Sequence, residues 1–165
     1  MRVTPAVVAA ERTWVEDRGE VVVPLVNRVR RDLGDAFDTT VDPITDEQYH
    51  DAVETVFSDG DRAVNVAALV AILRDLDVEG DYPGFVVDEQ LGRQLAATIA
   101  GGQPLSTLAE ATFHYADVTT HGDSDDDAAG LDDLDAALAA GFQTRLPGWE
   151  WTKGESPFGV EPDGE

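Results

Sequence analysis

Cysteine is absent from this chain of 165 residues, which excludes disulfides, thiolate metal ligands and a cysteine nucleophile. Lysine occurs once, at Lys153, and histidine three times, at His50, His114 and His121. No stretch approaches the roughly 20 apolar residues that a bilayer-spanning helix needs. No apolar signal core opens the sequence either, so the expectation is a soluble cytoplasmic protein with no membrane partner. A Gly-x-Ser-x-Gly elbow, a phosphate-binding glycine loop and an internal repeat are also missing. With no histidine beside a plausible serine, these absences lean toward a non-enzymatic protein.

Positive charge is the other scarcity. Eleven basic residues face 34 acidic ones, a net charge of -23. Such an imbalance usually accompanies disorder, but 42% hydrophobic content and helical periodicity predict a folded domain. Acid supplied mostly by aspartate, with almost no lysine, resembles the composition of proteins from salt-in halophiles. At ~1 M salt the screening length is about 3 Å, so the self-repulsion of this surface is quenched. Acidic clusters in such a chain are therefore weak functional signals. Residues 1–31 run against the trend, with six arginines and four acids. Either the N-terminal helices dock on an acidic body, or they form a basic face.

What is present is helix signal. From Asp61 to Leu76 the sequence reads DRAVNVAALVAILRDL, with Asn65 the only polar residue between Ala63 and Leu73. A helix apolar on every side belongs under other helices, so this one is expected at the centre of the fold. Thr4-Pro5 starts a helix that runs to about Asp17. Val22, Leu25, Val26, Val29 and Leu33 define a second over 20–33, stopped by Gly34. Tyr49, Ala52, Val53 and Val56 face inward from a third that begins after Thr45. Helices over 87–100, about 105–119 and 131–140 follow, the sixth with Leu105, Leu108, Thr112, Tyr115 and Ala116 turned inward. The expectation is an all-α, single compact domain of about seven helices over 1–142. Residues 143–165 read as an irregular, partly disordered tail containing Trp149 and Trp151.

Several residue sets invite chemistry. Glu110, His114, Asp117 and His121 fall at i, i+4, i+7 and i+11, one helical stripe that could ligate a transition metal. Glu47 and His50 have the Glu-x-x-His spacing of carboxylate-bridged di-metal bundles. On the helical wheel, however, Glu110, His114 and Asp117 lie opposite the inward residues of their helix, and Glu47 and His50 do the same. Both sets should point to solvent, whereas bundle metal sites are built in the core. Asp75, Asp77 and Glu79, followed by Gly80, resemble the first half of an EF-hand calcium loop, but Val86 stands where the bidentate glutamate belongs. No cofactor is predicted on balance, with transition metal or calcium as the open possibilities.

Glu11 interrupts the apolar face of the first helix and needs a partner, which Arg28, Arg30 or Arg31 could supply. Those same arginines are the candidate phosphate contacts for a DNA-associated regulator. The Leu-x-x-Leu-Ala pattern near Pro104 hints at the first helix of a helix-turn-helix. No basic helix follows it, and molar salt weakens phosphate contacts, so the sequence argues against nucleic acid. The leading expectation is a module that binds another protein or itself, with Trp149, Trp151 and Phe158 as candidate anchors.

Overall fold

The computed structural model describes residues 1–76, 83–120 and 129–148, and among them every regular element is an α-helix. Seven helices follow in order: α1 (Pro5–Asp17), α2 (Gly19–Ala36), α3 (Asp46–Ser58), α4 (Gly60–Asp75), α5 (Val87–Ala100), α6 (Leu105–Thr120) and α7 (Ala129–Gln143). They form one compact all-α domain, as the periodicity predicted. None of these helices is long and apolar enough to cross a membrane.

The helix starts follow local chemistry. Thr4 Oγ1 accepts the Val7 N–H at 3.2 Å, with Pro5 supplying the first helical residue of α1. Thr45 and Gln48 form a reciprocal capping box at α3. Asp59 closes α3 and caps α4 by accepting the Arg62 N–H. One boundary differs from expectation. Gly34 does not stop α2, which runs on to Ala36; the Phe37 and Thr39 amides then close onto the Leu33 and Gly34 carbonyls and turn the chain.

The centre of the fold also differs. α4 packs against α1, α3, α5 and α7, but α7 is the more deeply enclosed helix, packing against α2, α3, α4, α5 and α6. From Asp133 to Gln143 every α7 residue is buried. Four alanines and Gly141 in that run let neighbouring helices approach closely. Phe142 meets the Tyr49 ring edge-on at 5.4 Å. Against Gly141 lies α5: a Cβ there would stand 2.8 Å from Ile99 Cβ and 3.1 Å from the Ala96 carbonyl oxygen. Neither atom can swing away, so Gly141→Ala is expected to push α5 off α7 at a cost of about 1–3 kcal/mol, readable as a lowered urea midpoint.

α6 is rotated relative to its predicted face. Ser106, Ala109, Phe113, Ala116 and Asp117 are buried, whereas Leu105 and Leu108 are half-buried and Tyr115 is exposed. Small residues at 109 and 116 with Phe113 between them let α7 come close along that line. The face is set by fit to a crowded neighbour, not by the largest apolar side chains.

Candidate functional site

A buried helix carrying Asp133, Asp135 and Gln143 must satisfy three polar side chains away from water. Two of them draw on the arginines of the N-terminal segment. Arg18 donates from Nε and Nη2 to the two oxygens of Asp135, both at 2.7 Å. Arg30, 1% exposed, donates from Nε to Gln143 Oε1 at 2.5 Å and from Nη1 to the Asp42 carbonyl at 2.7 Å. Burial lowers its pKa to about 10, opposed by the charge of Asp42, so it stays protonated at neutral pH. The charge asymmetry of the sequence is thereby accounted for in part: Arg18 docks on an acid of α7, and Arg30 on the Gln143 side chain and backbone carbonyls.

This corrects one candidate. Arg30 is enclosed and cannot reach a phosphate, although Arg28 and Arg31 are exposed on the same helix. Glu11 likewise finds a different partner from those expected. Arg74 of α4 donates from Nη1 to both of its oxygens at 3.0 and 2.8 Å and stacks over the Trp14 ring at 4.5 Å. Arg18 stands 5.6 Å from the same ring, so Trp14 is a shared apolar plate for two guanidiniums.

The predicted metal stripe separates. His114 is exposed, Glu110 half-buried, and Asp117 buried at 4% exposure because α6 turned its face. His121 lies outside the described residues. Asp117 instead joins Asp88 and Glu89 of α5 near Asp133 of α7. Asp133 is 4% exposed, shares a hydrogen bond with Asp88, and leaves its Oδ1 without a hydrogen-bond partner. Burial, then the Asp88 hydrogen bond, then the charges of Asp117, Asp88 and Glu89 push its pKa up to about 9. This carboxyl is a neutral acid at pH 7. Glu47 and His50 are exposed, as expected, and Asp75 is the exposed last residue of α4, while Asp77 and Glu79 lie outside the described residues. Among the described residues no three His, Cys, Asp or Glu side chains are grouped to hold a metal ion. The aromatic anchors Trp149, Trp151 and Phe158 also lie outside them.

One surface was missed by reasoning that buried α4 completely. Val64 is 39% exposed and Ile72 37%, with half-buried Ala68 between them and Leu76 a turn beyond, all on one i+4 stripe. A groove of about 480 Å³ opens beside Val64, lined by Val3, Pro5, Val8 and Phe57. A second, of about 520 Å³, opens beside Ile72, lined by Ala71, Leu76, Glu11 and Arg74. The all-round apolar sequence was the available signal, and it marks an uncovered face.

The fold and these sites define a class: an acidic, all-helical domain in which N-terminal arginines hold one buried carboxylate, Asp135, and one buried amide, Gln143. Within that class, the chain belongs to the family described as a domain of unknown function (DUF7984), whose match spans residues 1–162. No curated protein and no solved structure matches the chain.

Proposed function

We propose that this domain is a non-enzymatic interaction module of a halophilic cytoplasm, and that its docking face is the outer stripe of α4, covered by the same stripe of a second copy. The observation that carries the reading is an apolar-all-round helix whose Val64 and Ile72 each stay more than a third exposed. Exposed contiguous apolar surface marks association sites. Local charge on α4 is compatible with a second copy as the occupant. Two chains of net charge -23 repel each other across most orientations, but α4 contains Asp61, Arg62, Arg74 and Asp75 and sums to zero, so this face adds little repulsion of its own. A two-fold axis at Ala68 would set Val64 of each copy against Ile72 of the other, the reciprocal pairing of an isologous dimer. Each groove would then face the groove of similar volume on the other copy.

Sedimentation of the full chain in molar KCl tests this. The expected result is a dimer mass that falls to a monomer mass in Val64→Asp/Ile72→Asp, with helical circular dichroism unchanged because both positions are exposed. A wild-type chain that stays monomeric at high concentration overturns the reading, as does a double variant that still dimerises.

A further inference from the structure

A second site lies at the turn between α5 and α6. Arg145 donates from Nε to the Ile99 carbonyl at 2.5 Å and from Nη2 to the Ala100 carbonyl at 3.4 Å. That role at a helix C-terminus is an ordinary one for a cation. Arg62, from the start of α4, comes to the same place. A Cβ on Gly101 would sit 3.0 Å from Arg62 Nη2 and 3.5 Å from Arg145 Nη2, so the two guanidiniums lie side by side. Burial and then the positive charge of Arg62 lower the pKa of Arg145, opposed by the negative charge of Asp59.

The pairing is odd in this chain. Arg12, Arg18 and Arg74 each hold a carboxylate at 3.0 Å or less. Arg145 makes no ion pair with any described carboxylate, and Arg62 reaches Asp59 only at 3.5 Å. With acids outnumbering bases three to one, two half-buried arginines turned toward each other share a single carboxylate, Asp59, which leaves one of the two positive charges unanswered. The space beside them is open. Gly101 has φ +100°, a conformation side chains rarely adopt, and a Cβ on Gly102 would meet nothing within 4 Å.

We infer that Arg62 and Arg145, over the bare backbone of Gly101–Gly102, form a binding site for a phosphate group. Guanidiniums present paired N–H donors that match phosphate oxygens, and two of them beside the one carboxylate of Asp59 keep a net positive charge for the anion. Inorganic phosphate and a phosphomonoester share that chemistry. The site is independent of the α4 stripe and stands or falls without it.

Phosphorus NMR titration of the full chain, at fixed KCl and pH 7.5, is the test, with inorganic phosphate and glycerol phosphate as separate probes. Saturable binding is expected, weakened at least about ten-fold in Arg62→Gln, the loss of one charge-assisted pair. Gly102→Asp, which sets a carboxylate in the open space, is expected to abolish it, and Arg28→Gln to leave it unchanged. Tighter binding of glycerol phosphate assigns a phosphomonoester, and tighter binding of inorganic phosphate assigns the free ion. Absence of saturable binding by the wild-type chain overturns the proposal. So does binding by Arg62→Gln and Gly102→Asp equal to wild type, or equal competition by acetate.

Discussion

Replacing Arg18 by alanine is expected to lower the unfolding free energy by about 3–5 kcal/mol, the usual cost of removing one member of a buried ion pair. Arg18 joins α1 to α2 and reaches across the fold to α7, where its two bonds to Asp135 are short and parallel. Removing the guanidinium strips a nearly enclosed carboxylate of its bidentate partner, and Trp14 loses one of its two stacked cations. For a domain with about 5–15 kcal/mol of total stability this is a large fraction. Urea unfolding at constant KCl measures it. The loss should be mostly recovered in Arg18→Leu/Asp135→Leu, since replacing both charges by apolar groups removes the desolvation penalty along with the pair. A cost of less than about 1 kcal/mol for Arg18→Ala would mean that the pair behaves as a solvent-screened surface contact.

The Arg18–Asp135 pair also marks where sequence reading stops. The seven helices were legible because their signals are local: Thr4-Pro5, the helix start at Thr45, and Val22 to Leu33 at helical spacing. The docking of N-terminal arginines on an acidic body was legible as one of two readings of the charge asymmetry. Their partners were not. Glu11 found Arg74, 63 positions away, and Arg18 found Asp135, 117 positions away; no periodicity encodes such distances. α6 was misread for a related reason. Leu105, Leu108 and Tyr115 are larger than Ala109, yet Ala109 faces in beside the correctly placed Ala116, because α7 needs room. That rotation carried Asp117 from a supposed solvent stripe into the interior, while His114 of the same candidate set stays exposed. α4 failed in the opposite direction. Its sequence asks for cover on every side, and the described chain leaves Val64 and Ile72 more than a third exposed.

Asp133→Asn is expected to stabilise the protein at pH 8 by about 1–3 kcal/mol, the range for relieving a poorly satisfied buried polar group. Asp133 faces Asp88 and Glu89 from α5 and Asp117 from α6, all of the same sign, and its carboxyl is held protonated up to about pH 9. In the unfolded chain an aspartate loses its proton near pH 3.9. The native state therefore binds one more proton than the unfolded state between those two values, and stability falls as pH rises through that window. Below about pH 4 both states are protonated and the group contributes no slope; above about pH 9 both are ionised and the full penalty is in place. An asparagine keeps a donor for Asp88 and has no proton to lose. Thermal unfolding in molar KCl, which suppresses the general repulsion of a chain with net charge -23, should show wild type losing stability from pH 5 to pH 9. The variant should lose less, with the two curves converging near pH 4. Parallel curves across the whole range would mean that Asp133 is ionised in the fold and that a cation, not a proton, balances it.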